Sequence, residues 1–158
     1  MKISHFICFL FLFIPIINFA QSLQEKLGYA AEDKLLIIHG DDVGVSHSQN
    51  LATFQAIQNG LVSSTSMMVP AAWSKEVAEL AKSIKNPDIG IHITLTNEWL
   101  HYNWGPEAGK TDVPGLVNPL GHMFPSCAEV AQNASPEQVE KEVRAQIESA
   151  KSMGIDVT

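Results

Sequence analysis

The amino-acid sequence predicts a parallel α/β fold, either an open doubly wound sheet or a barrel. Short apolar runs that read as strands alternate with stretches of helical periodicity in a β-α-β-α-β-α-β order. The first run, residues 34–39, is apolar almost without interruption, the pattern of a strand covered on both faces. At 158 residues and 46% hydrophobic, the chain has the length of one domain. Seventeen acidic against ten basic side chains leave a net charge of -7, with no Lys/Arg cluster to capture phosphates, so no nucleic-acid partner is expected.

Residues 1–20 combine Lys2, an apolar run over 6–17 and Ala20 before Gln21, the layout of a secretory signal peptide. The run is short for the roughly 20 residues of a spanning helix, and Pro15 and Asn18 weaken it. The expectation is a secreted or periplasmic protein, residues 21–158, without stable membrane insertion after cleavage. Cleavage removes Cys8 and leaves Cys127 alone, so no disulfide framework is expected and Cys127 reads as a bystander.

The first strand, 34–39, ends in the turn composition of residues 40–44. Leu51, Phe54, Ile57 and Leu61 then recur near helical spacing, with Ser46 or Ser48 as cap and Gly60 near the stop. Residues 65–69 read as a second strand, with Met67 and Met68 in its core. Ser74 caps a second helix with Val77, Leu80, Ala81 and Ile84 inward, closed by Asn86 and Pro87. Residues 89–96 form a third strand in which Ile89, Ile91, Ile93 and Leu95 alternate with Gly90, His92, Thr94 and Thr96. In a barrel, His92 would point into the lumen. Ser135, Pro136 and Gln138 open a third helix with a cap, a first-position proline and a capping-box glutamine; Val139, Val143 and Ile147 form its expected buried stripe, and Glu140 and Arg144 an exposed pair. Residues 155–158 look like a fourth strand beginning.

In parallel α/β folds chemistry collects at the carboxyl ends of the strands, where Asp41, Asp42 and His92 fall. Two adjacent carboxylates can divide labour, one ligating a metal and the other accepting a proton. An Asp pair is also an ordinary turn, and a lone histidine an ordinary core residue; their joint placement raises the metal reading. A tight site wants three protein ligands, and His39, His47, His101 and His122 are candidate thirds without diagnostic spacing.

Residues 36–50 (LIIHGDDVGVSHSQN), 60–70 (GLVSSTSMMVP) and 88–96 (DIGIHITLT) together resemble the start of a YdjC/ChbG-type carbohydrate deacetylase. The resemblance implies a (β/α) barrel of the polysaccharide-deacetylase type that removes acetyl groups from N-acetylated sugars such as chitooligosaccharides, using a divalent metal such as Mg or Zn. It implies Asp42 and His92 as metal ligands and Asp41 as base. Gly40 stands where the family usually has Ala, and His39 where many members carry Asn, which leaves a supporting or ligand role for His39 open. The family continues past a segment like residues 154–158 with a His-x-Asp-x-His block that supplies the third ligand. The expectation is therefore an amino-terminal half of the barrel, inactive and poorly stable alone.

Residues 97–134 are too long for a passive connection and carry Trp99, Tyr102 and Trp104, whose faces could bind sugar rings beside the metal or pack as a lid. The substrate expected is an N-acetylated sugar or oligosaccharide, and a homo-oligomer is compatible with the sequence. The rival readings are a sugar-binding remnant without catalysis, a metal-dependent hydrolase of another acyl or glycosidic bond, and a receiver domain, which would require an Asp at the end of the third strand where this sequence offers His92 and Thr94.

Overall fold

The computed structural model describes residues 21–157; the expected signal peptide, Cys8 and Thr158 lie outside the described residues. The chain divides into two compact units, Met1–Leu36 and Ile37–Thr158. In the first, α1 (Leu23–Lys26) opens on a capping box: the Ser22 hydroxyl accepts from Glu25 N–H and the Glu25 carboxylate from Ser22 N–H. Among the described residues no helix is long and apolar enough to cross a membrane.

The second unit is a three-stranded parallel sheet in sequential order, β1 (His39–Val43), β2 (Ser64–Met67) and β3 (Ile89–Ile91), with helices in the connections. Helix α2 (His47–Gln58) follows β1, and α3 (Ser74–Ala81) follows β2. After β3 come a 3-10 turn (Pro114–Leu116), α4 (Cys127–Asn133) and α5 (Pro136–Ser152). Val43, Phe54, Met67, Val69, Val77, Ile89, Ala150 and Ile155 form the main core between sheet and helices. A fully buried aliphatic side chain of this size contributes about 1.5–3 kcal/mol. A second cluster of Val45, Met68, Ala71, Trp104 and Met123 lies under the long segment after β3.

The first strand sits later than the apolar run predicts. Residues 34–38 form no strand, Ile37 and Ile38 are exposed, and the ladder runs instead through the Gly-Asp-Asp-Val stretch expected to turn. The third strand is shorter than residues 89–96. Beyond Ile91, Thr94 pairs with a side chain: Gln146 Oε1 accepts from Thr94 N–H at 3.1 Å and Gln146 Nε2 donates to Thr94 C=O at 2.6 Å. One amide so replaces a neighbouring strand, and Ile93 points outward, 53% exposed. Residues 155–157 form no ladder, although Ile155 packs into the core.

Helix faces also differ from expectation. Ser46 caps α2, as predicted, but its buried residues are Asn50 and Phe54, while Leu51 and Leu61 are exposed. Ser74 is the first helical residue of α3, and Trp73 occupies the cap without a side-chain bond. Ser135 caps α5, but Gln138 closes no box: its Oε1 accepts from Gly115 N–H at 2.6 Å. The buried face of α5 is Glu142, Gln146 and Ala150; Val139, Val143 and Ile147 instead line a half-exposed groove with Val130 of α4. Helix α4 lies inside the 97–134 stretch, where no helix is expected; Ser126 caps it, its hydroxyl accepting from Glu129 N–H.

Candidate metal centre

The register of β1 on β2 shifts between Gly40, paired with Thr65, and Val43, paired with Met67. Three steps on β1 span two on β2, a bulge with one extra residue. Asp42 sits in it at φ 56°, a left-handed conformation that Asp tolerates better than most residues. Strict alternation would send neighbouring side chains to opposite faces. With the bulge, one carboxylate oxygen each of Asp41 and Asp42 and one ring nitrogen of His92 lie within 4.8 Å of one another.

His92 reaches the group because its N–H continues the parallel ladder to Met67 C=O at 2.9 Å, one residue past β3. Its Nδ1 stands 3.3 Å from Asp42 Oδ1 and 3.4 Å from Ser66 Oγ. Asp41 is exposed, and Asp42 and His92 are half-buried. Two carboxylates and an imidazole are the hard and borderline donors that divalent ions take, and these three side chains could hold a metal ion.

Among the described residues the other histidines do not join this group. His39 bridges Ser64 and Ser66 of β2, at 2.7 and 3.0 Å. His47 Nδ1 stands 2.6 Å from the Glu76 carboxylate, and His101 is exposed. Cys127 is a free, exposed thiol.

Beside the centre lies a pocket lined by Asp42, Met68, His92, Thr94, Glu98, Trp99 and Trp104. The three aromatic rings of the long segment pack together with centroids 5.7 to 6.0 Å apart. Trp104 is buried and its Nε1 donates to Thr96 C=O, while the Tyr102 hydroxyl accepts from Ala72 N–H. Trp99 keeps 42% of its surface exposed. Trp104 and Tyr102 thus brace the segment, and Trp99 presents a free face at the rim.

A residue that sequence reasoning missed is Asn50, fully buried on α2 and bonded to Gly44 N–H at 2.7 Å. The signal was a polar residue four positions before Phe54, on the inward face of a helix.

The family model of YdjC-like proteins matches residues 35–158. The chain belongs to the YdjC-like family. The resemblance carried by the three sequence blocks is thereby shown. A carbohydrate deacetylase of Thermus thermophilus is 37% identical over 128 residues, covering 81% of this chain and 43% of the relative. One from Geobacillus stearothermophilus is 34% identical, covering 77% and 46%. A chitooligosaccharide deacetylase of Serratia marcescens is 36% identical over 91 residues, covering 58% and 32%. Among solved structures, an Enterococcus faecalis protein provisionally assigned to cellobiose-phosphate cleavage superposes with a TM-score of 0.67 at 27% identity, covering 77% of this chain and 45% of that one. The chain spans about half the length of the two carbohydrate deacetylases.

Proposed function

We propose that this YdjC-like chain carries the metal-binding end of a secreted or periplasmic, metal-dependent carbohydrate deacetylase, its sheet forming part of a (β/α) barrel. The observation that carries this reading is the convergence of Asp41, Asp42 and His92 within 4.8 Å on a bulged strand end, beside a pocket with an exposed Trp99. Sequential parallel strands with helical crossovers support the barrel. The deacetylases among its relatives support the reaction.

In this reading Asp42 and His92 hold a divalent ion, Mg or Zn. When bound, the ion makes water more acidic and polarises the acetyl carbonyl. Asp41, exposed and adjacent, accepts the proton of the attacking water. Trp99 offers its face to a sugar ring, with Tyr102 and Trp104 fixing its position. Hydrolysis of the amide releases acetate and a free amine and leaves the glycosidic bonds intact.

The test uses the complete reading frame that contains this sequence, expressed with divalent metal and given N-acetylglucosamine oligomers. The expected outcome is metal-dependent acetate release without shortening of the sugar. Asp41→Asn should retain metal binding and lower turnover by a factor of about 100 or more, the range of a lost general base. Asp42→Ala or His92→Ala should lose the metal itself. Shortened products would move the reaction to the glycosidic bond, and sugar binding without acetate would leave a binding remnant.

A further inference from the structure

We infer that Asn50 is a positioning residue for the metal centre, holding from its place on α2 the bulged end of β1 that carries Asp41 and Asp42 and the Gly44 turn that follows it. The inference rests on the metal reading above. The turn needs such a holder because Asp42 at φ 56° and Gly44 at φ 108° bracket the fully buried Val43. Two left-handed residues on either side of an anchored valine form a shape that β-sheet pairing alone does not maintain. A Cβ at Gly44 would stand 3.1 Å from Met68 C=O, so the backbone is also closely packed there.

Three hydrogen bonds fix the far side of the turn. Val43 C=O accepts from Met68 N–H at 2.9 Å, and Gly44 C=O accepts from Trp73 N–H at 3.0 Å. The third comes from a side chain, Asn50 Oδ1, which accepts from Gly44 N–H at 2.7 Å. The Asn50 amide nitrogen donates to Trp73 C=O at 3.1 Å and to Glu76 Oε2 at 2.8 Å. Glu76 is held in turn by His47 Nδ1 at 2.6 Å. The α2 amide thus ties the metal turn to the start of α3.

The position selects an amide. It must offer one acceptor toward Gly44 and two donors, one to a carbonyl and one to a carboxylate. An aspartate there would keep the acceptor, lose both donors and face the Glu76 carboxylate. An apolar residue would leave Gly44 N–H unpaired in a buried setting. The cost of burying a polar side chain is offset here only because every bond is made.

The experiment measures Mn2+ affinity, read from the free-ion EPR signal, and hydrogen exchange at the Gly44 amide, both on the complete protein. In the parent the Gly44 amide should be protected. Asn50→Asp should lower Mn2+ affinity about tenfold, the lower end of what outer partners of metal ligands contribute, and speed Gly44 exchange. Adding Glu76→Gln to it removes the facing charge and supplies a donor. That double variant should return affinity to within about twofold of the parent, a coupling that independent sites would not give. Unchanged Mn2+ affinity in Asn50→Asp with the parent binding normally would overturn this inference and leave the metal reading intact, even if the unfolding midpoint fell. An unprotected Gly44 amide in the parent would overturn it without any variant. Failure of the parent to bind Mn2+ would sink the metal reading, and this inference with it.

Discussion

Glu76 on α3 meets His47 and Asn50 of α2, 29 and 26 positions away in the sequence, and its ionisation reports on both. Its carboxyl is held below the ordinary value of 4.5, chiefly by the hydrogen bond from Asn50; burial acts against this, and the hydrogen bond and charge of His47 add to it. A carboxylate with a depressed folded pKa stabilises the fold fully above its unfolded value, and that contribution disappears as pH falls through the folded value. The advantage of the parent over Glu76→Gln should therefore be constant at neutral pH and shrink as pH falls below 4.5. Denaturation midpoints of the two proteins from pH 7 to pH 3 check this. A difference that widens on acidification would mean that Glu76 is bound in its protonated form. At this scale the grouping of Asp41, Asp42 and His92 was legible in the sequence, since the pair follows one apolar run and His92 lies in another. The support was not, because the Asn50 and Glu76 pairing spans 26 residues and leaves no local pattern.

Helix α5 shows what periodicity does and does not determine. Its cap at Ser135 and first-position Pro136 were legible because capping is local chemistry. Its inward face was not, because residues 139, 143 and 147 and residues 142, 146 and 150 both repeat every four positions. Hydropathy favours the first set, yet the second is buried. The reason is polar satisfaction: Glu142 accepts from Glu107 N–H and Ala108 N–H, each at 2.9 Å, and from Gln146 Nε2 at 2.7 Å. Gln146 then pairs with the backbone of Thr94, leading away from His92. The same long-range logic hid the bulge in β1, since register depends on the partner strand. Glu142→Ala leaves two loop amides and the Gln146 amide short of a partner and should cost about 3 kcal/mol. Val143→Ala, on the half-exposed face, should cost less than about 1 kcal/mol. Urea unfolding of the two variants decides between the faces, and a larger loss at Val143 would mean that the hydrophobic stripe is the buried one.

On the scale of the molecule, apolar surface remains where the sequence calls for burial. Residues 34–39 have the composition of a strand covered on both faces. In the second unit Ile37 is 75% exposed and Ile38 50%, with Leu61 and Ile93 also exposed. Ile38 C=O already accepts from Ser63 N–H and the Ser63 hydroxyl, so this backbone lies beside the start of β2 with its side chains uncovered. Exposed aliphatics of this size are surface that a covering element or a second copy would bury. Residues 21–158, expressed without the apolar run over 6–17, should bind a hydrophobic dye such as ANS and run larger than a monomer in light-scattering chromatography. The double change Ile37→Ser and Ile38→Ser should reduce both signals. It should alter the unfolding midpoint little, because exposed side chains away from specific contacts shift stability by about 0.5 kcal/mol or less. A chain that stays monomeric and dark to the dye would place these isoleucines under cover in solution. A large loss of stability in the double variant would then show that residues 34–39 have the buried role their composition predicts.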